Sequence, residues 1–229
     1  METVVAFDLA ANPLREVNAA LHAPGLSGEF VIANPDGAHN VAVGLNAPIR
    51  VTVYGHVGYY AAGMNQQAEV TIEGNAGTGV AENMMSGIVR VKGNASQSAG
   101  ATAHGGLLVI EGNAAARCGI SMKGVDIVVG GDIGHMSAFM AQAGSLVVRG
   151  DVGEALGDSI YEARLYVRGS VAGLGADCIE KEMRDEHLAQ VADLLERAGI
   201  GEEVDAGQFR RYGSARDLYT FKIDNAGAY

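Results

Sequence analysis

A chain of 229 residues suffices for one sizeable core, and its net charge of −11 without a long Lys/Arg run excludes a surface built to neutralise a phosphate backbone. Thirty-three glycines against four prolines exclude a collagen-like or Pro/Gly-rich disordered composition, so the glycine must serve ordered backbone. Nearly half the chain is apolar, yet Trp is absent and aromatics are scarce, which predicts thin core layers of Val, Ile, Leu and Ala suited to stacked β-structure.

In chain order, Met1-Glu2-Thr3-Val4-Val5 has no basic segment ahead of its apolar residues. No stretch approaches the roughly 20 apolar residues that span a bilayer, and a cytoplasmic protein is expected. Residues 1–48 are predicted to form an N-terminal cap of strand, helix and hairpin. Asn12-Pro13 reads as an N-cap followed by Pro at the first helical position, with Leu14, Val17 and Leu21 at helical spacing before Pro24. Residues 30–32 and 41–43 are apolar runs on either side of the turn signal Asn34-Pro35-Asp36-Gly37. They are predicted to pair as a hairpin covering the open edge of the strand-rich region beyond it.

Residues 49–176 carry an ungapped repeat: Gly55, Gly74, Gly93, Gly112, Gly131, Gly150 and Gly169 recur every 19 residues. Two positions before them stand Val53, Ile72, Val91, Ile110, Val129, Val148 and Val167. Four positions before stand Val51, Val70, Val89, Leu108, Ile127, Leu146 and Leu165. Alternation by two means strand, with both columns facing inward. Further inward columns follow at two residues past the glycine (Val57, Ala76, Ala95, Ala114, Ile133, Val152, Val171) and at seven past it (Ala62, Ala81, Gly100, Gly119, Ala138, Gly157, Ala176). A 19-residue unit is too short for a helix pair or a propeller blade, which need roughly 34 and 40 residues. The fold class is therefore all-β, a right-handed parallel β-helix of about seven 19-residue coils with short helical N- and C-terminal extensions. The rod would be roughly 34 Å long at one strand spacing per coil.

The column just past each glycine (His56, Asn75, Asn94, Asn113, Asp132, Asp151, Ser170) is of residue types that tolerate left-handed backbone and bond locally in turns, and stacked Asn75, Asn94 and Asn113 could also bond amide to amide. The column three before each glycine points outward and changes from Thr52, Thr71 and Arg90 to Val109, Val128, Val147 and Tyr166. That apolar stripe needs a cover, expected to be a partner subunit, with the chain's own C-terminal helix as the other possibility.

In residues 177–229, Asp177 and Glu180 resemble a capping box. Ile179, Met183, Leu188, Val191, Leu194 and Leu195 then give helical spacing up to Gly199. Phe209-Arg210-Arg211-Tyr212, Arg216, Tyr219, Phe221 and Lys222 read as interface anchors or as a tail draped along the chain's own rod.

No residues converge on a catalytic, cofactor or metal site, and none is expected. His56, His104 and His135 share no column, while His22, His39 and His187 lie outside the coils. Cys118 and Cys178 have no CxxC spacing and read as two buried small hydrophobes in a reducing compartment. The glycine clusters follow strands without leading into a helix N-terminus, so nucleotide binding has no mechanism here. Ser121, Ser137 and Ser159 have no base partner in the pattern, and Asp158, Glu162, Asp177 and Glu180 read as a charged rim.

The glycine-bounded coils, Gly55-His56-Val57-Gly58, Gly131-Asp132-Ile133-Gly134 and Gly150-Asp151-Val152-Gly153, resemble the GXGXG β-helix domain. That domain closes the large subunit of glutamate synthase and also forms a subunit of formylmethanofuran dehydrogenase. Longer segments resemble the stand-alone β-helix subunit of methylamine-glutamate N-methyltransferase, also called N-methylglutamate synthase. They are Gly58-Tyr59-Tyr60-Ala61-Ala62-Gly63-Met64-Asn65, residues 79–87, residues 118–124, residues 134–140 and Gly175-Ala176-Asp177-Cys178-Ile179-Glu180-Lys181-Glu182. Ser96, Ala115 and Ala172 depart from the motif where its second glycine would stand.

The resemblance implies a non-catalytic structural subunit of a complex that converts methylamine and L-glutamate to N-methyl-L-glutamate and ammonia. Its partners would be an amidotransferase-like subunit and a glutamate synthase-like subunit carrying FMN and iron-sulfur clusters, with no cofactor in this chain and no nucleic acid or membrane partner. A β-helix subunit of another complex, such as formylmethanofuran dehydrogenase, or a rod without an enzyme partner, stays open.

Overall fold

The computed structural model describes residues 4–200 and 204–216. Eleven strands form one sheet: β1 (Val5–Asp8), β2 (Gly28–Ala33), β3 (Ile49–Tyr54), β4 (Glu69–Ile72), β5 (Ile88–Val91), β6 (Leu107–Ile110), β7 (Lys123–Val129), β8 (Ala143–Val148), β9 (Arg164–Val167), β10 (Cys178–Lys181) and β11 (Arg210–Ser214). Two short helices accompany them, α1 (Leu14–Ala20) and α2 (Asp185–Ala198). Strands β1 to β9 pair in parallel, and from β3 onward the register advances by one repeat per coil: Val53 faces Ile72, Ile72 faces Val91, and Ile110 faces Val129. The all-β parallel β-helix of about seven coils expected from the glycine spacing is the architecture observed.

Both strand columns assigned to the interior are buried from Val51 and Val53 to Leu165 and Val167. Each such side chain contributes roughly 1.5–3 kcal/mol relative to exposure, so the regular stack is itself the core. A second wall is made by single parallel bridges along Val57, Ala76, Ala95, Ala114, Ile133, Val152 and Val171. Of the column seven past the glycine, Ala62, Ala81 and Ala138 are fully buried, whereas Ala176 is exposed and lies beyond the regular stack.

The turn column does not form the amide-to-amide ladder that its stacked asparagines offered. Its Asn and Asp residues are absent from the left-handed region, and the amides do not bond to one another. Each side-chain oxygen instead accepts the backbone N–H one coil on: Asn75 Oδ1 from Asn94 at 2.7 Å, Asn94 from Asn113 at 2.8 Å, Asn113 from Asp132 at 2.8 Å, and Asp132 from Asp151 at 2.7 Å. This explains the glycines. A Cβ at Gly131 would sit 2.0 Å from Asn113 Oδ1, and one at Gly74 would sit 2.5 Å from the Gly55 carbonyl oxygen. The glycine column leaves room for the rung beneath it and for close approach of successive coils.

At the N-terminal end the predicted hairpin is not formed. β2 pairs in parallel with β3, Phe30 against Val51 and Ile32 against Val53, so residues 28–48 are a further coil, two residues longer than the rest. Residues 41–43 are a turn and not a strand. The Asn34-Pro35-Asp36-Gly37 signal marks a corner of this coil, where Gly37 N–H donates to the His56 carbonyl at 3.0 Å. Helix α1 begins one residue later than its capping signal suggested. Pro13 is the N-cap, while Asn12 Oδ1 accepts the Asp8 N–H. Val17 and Leu21 pack into the end of the core.

At the other end, Cys178–Lys181 is strand and not the start of a helix. The Asp177/Glu180 capping box is not formed, and α2 starts only at Asp185. There the His187 ring accepts the Arg184 N–H at 3.1 Å, and Gly199, with φ +63°, closes the helix. Strand β11 then inserts between β9 and β10, antiparallel to both. Residues 209–214 of the tail are thus draped along their own rod, with Phe209 and Tyr212 buried; Tyr219, Phe221 and Lys222 lie outside the described residues.

The outward apolar stripe also has its cover within the chain. Val109, Val128, Val147 and Tyr166 are fully buried under Val191, Leu194, Leu195 and Ala198 of α2 together with Phe209. The partner subunit expected here is therefore replaced by α2, whose apolar residues recur three and four apart on the face it presents. Two arginines anchor its end, one in β5 and one just past β8: Arg90 donates to the Ala198 carbonyl at 2.7 Å and Arg149 to the Ile200 carbonyl at 2.5 Å, where the helix dipole favours cations.

Candidate functional site

The histidines stay dispersed. His56 accepts the Asn75 N–H at 2.9 Å at the foot of the Asn/Asp ladder. His39 accepts the Tyr59 N–H at 2.8 Å and stacks on the Tyr59 ring at 4.4 Å. His22 bridges the Asn18 and Gly44 carbonyls, and His187 is buried beside Arg211. Among the described residues no group of three His, Cys, Asp or Glu side chains is placed to hold a metal ion. Cys118 and Cys178 are free and buried, and desolvation pushes their thiols up to about 12 and about 11. Thiols held protonated in this way are poor nucleophiles.

The serines and carboxylates likewise point to structural partners. Ser137 Oγ donates to the Gly134 carbonyl and Ser159 Oγ to Asp158, while Asp177 pairs with Arg216 at 2.9 Å. Ser121 is half-buried, and Glu162 and Glu180 are exposed.

A surface feature does assemble, on the third wall of the rod. Here the chain turns through residues of positive φ at five, seven and nine past the glycine: Tyr60, Ala62 and Met64 in one coil, Met136, Ala138 and Met140 in another. Their N–H groups bond alternately to the coils on either side, as in Tyr60 to the Thr78 carbonyl, Ala62 to Val41 and Met64 to Glu82. The middle residue faces the core and the outer two face outward. This wall carries exposed Tyr59, Tyr60, Met64, Met85, Met140 and Tyr161. Met64, Gln66, Gln67, Asn83, Met85, Ser86 and His104 line an open groove of about 610 Å³. A search of the sequence for histidine pairs passes over this wall. The signal available was the column eleven past the glycine: Gln66, Met85, His104, Lys123, Gln142 and Tyr161.

Fold and surface together define a parallel β-helix protein that covers one outer face with its own helix and presents a Met- and Tyr-rich wall on another. The chain is 64% identical over 227 residues to Protein GlxC of Rhizobium meliloti (strain 1021), a match covering 97% of this chain and 98% of that protein. The chain belongs to the GlxC family. No family model matches it. No helix among the described residues is long and apolar enough to cross a membrane.

Proposed function

We propose that this chain is the non-catalytic β-helix subunit of a glutamate synthase-like complex that converts methylamine and L-glutamate to N-methyl-L-glutamate and ammonia. The observation that carries the reading is the ungapped 19-residue glycine coil in company with the long segments, such as residues 58–65 and 175–182, that resemble the N-methylglutamate synthase β-helix subunit. A rod closed by its own rungs and caps is stiff, and stiffness is what two separate active-site modules need to stay in register. An amidotransferase-like subunit and an FMN- and iron-sulfur-carrying synthase-like subunit are those modules. The iron-sulfur group falls to the partner because such sites take four thiolates, whereas this chain has only Cys118 and Cys178, both buried in its core.

The test is co-expression of the three chains, one of them tagged. A complex that shows a flavin absorbance spectrum and forms N-methylglutamate from methylamine and glutamate, while the isolated β-helix is colourless and inactive, is the expected result. Assembly with formylmethanofuran dehydrogenase subunits instead, or with neither partner, would reject it.

A further inference from the structure

Two of the rod's walls are accounted for by the chain itself: α2 and Phe209 bury the apolar stripe of the sheet, and the Asn/Asp rungs fix the glycine-lined corner. The third wall is not. Among the described residues, six of the eleven exposed large apolar side chains lie on it, Tyr59, Tyr60, Met64 and Met85 crowding its first two coils. An apolar concentration of this kind marks an interaction surface, and Met with Tyr is the composition that interfaces favour.

The groove between Met64 and Met85 has no Asp, Glu, Lys or Arg in its lining. It is too open to enclose a small metabolite, which binding sites bury by most of its surface, so an extended segment suits it better. Beside it the same wall holds exposed Lys123, one coil on from His104, and exposed Arg117. Among the described residues neither cation has an ion-pair partner, in a chain whose net charge is −11. Unpaired cations flanking an apolar groove complement a segment that is apolar in its middle and acidic at its flank. A second copy would bring another −11 to the encounter, and that long-range field opposes self-association.

We infer that this wall is the docking surface for a different protein chain, one that lays an apolar, carboxylate-flanked segment across Met64 and Met85 toward Lys123. The inference rests on the proposed subunit role and names the surface through which it is exercised.

The experiment compares the wild type with the Met64→Asp/Met85→Asp double variant and with Lys123→Glu, each co-expressed with the amidotransferase-like and synthase-like chains. All three side chains are exposed, so each variant's isolated subunit is expected to melt with the wild type. Recovery of partner with the double variant is expected to fall about tenfold or more, as for loss of a buried interface anchor. Lys123→Glu is expected to weaken assembly chiefly at low salt. If the wild type assembles and both variants assemble equally well, the docking surface is overturned while the subunit role stands. If the wild type binds neither chain, both fall. If the isolated wild type sediments as a dimer that the double variant abolishes, the occupant is a second copy and the inference of a different chain is wrong.

Discussion

At Gly131 the obstacle to a side chain is one identifiable atom, Asn113 Oδ1, with the Gly112 carbonyl carbon behind it at 3.1 Å. Gly131→Ala must therefore displace the rung that satisfies the Asp132 N–H, and is expected to lower stability by about 1–3 kcal/mol. Because the clash is with a side chain, it should be relieved in part by removing that side chain. In an Asn113→Ala background the same change is expected to cost less, with a coupling of ~1 kcal/mol in a double-mutant cycle of urea unfolding. Strictly additive losses would mean that the backbone, and not the rung, demands glycine here. Such positions were legible in sequence as a column but not in mechanism, since spacing shows that glycine recurs without showing what occupies the vacant Cβ site. The left-handed positions of the third wall were not legible at all. Tyr60, Met64 and Met136 hold positive φ without any residue type that announces it, because inter-coil hydrogen bonds outweigh the local preference.

Helix α2 is attached to the rod through the stripe it buries, so the stripe tests the attachment. Val128→Glu would place a carboxylate against Val191, Leu194 and Leu195, and the isolated subunit is expected to lose several kcal/mol, read as a lower denaturant midpoint. An unchanged midpoint would detach α2 from the stability of the rod. His187, at the start of the same helix, is held below its usual 6.5 by burial first and by the Arg211 guanidinium second. A depressed histidine leaves the folded chain reluctant to take a proton that the unfolded chain accepts. Stability is thus full above pH 6.5 and declines as pH falls below it, until the folded-state ring itself titrates. Unfolding at about pH 8 and about pH 5.5 should show a smaller difference for His187→Gln than for the wild type; equal differences would assign the pH dependence elsewhere. The need for a cover over Val109, Val128, Val147 and Tyr166 was legible from alternation alone. Alternation left the cover open between a partner and the C-terminal helix, which proves to be the cover, and the insertion of β11 between β9 and β10 was not legible because it joins segments far apart in sequence and leaves no periodic trace. The false hairpin has a similar cause. Residues 28–48 are two longer than a repeat, so the period breaks there and only a strong local turn signal is left to guide the eye.

Since each coil contacts its neighbours and repeats their register, the rod should tolerate loss of a whole coil but not of a fraction of one. Deleting residues 75–93 joins Gly74 to Asn94 and preserves every column. That variant is expected to keep a β-type circular dichroism spectrum and a cooperative melt at lower temperature. Deleting residues 75–92 shifts the following coils by one residue, turning inward columns outward, and is expected to give no cooperative transition. Identical behaviour of the two deletions would count against the ladders as the source of stability. The position of β11 has a further consequence during synthesis. Coils can stack in order as they leave the ribosome, yet the last described strand to emerge is an inner member of the sheet, and Phe209 just before it completes the cover of the stripe. Until then the stripe of Val109, Val128, Val147 and Tyr166 lies under α2 alone, without Phe209, beside an unfilled place in the sheet. A message cut short after residue 200 would therefore yield a chain that is nearly all folded, α2 included, yet lacks Phe209 from the cover of the stripe and leaves the strand place between β9 and β10 unfilled, a substrate for chaperones and proteases, so residues 204–216 decide whether the product is released as a finished subunit.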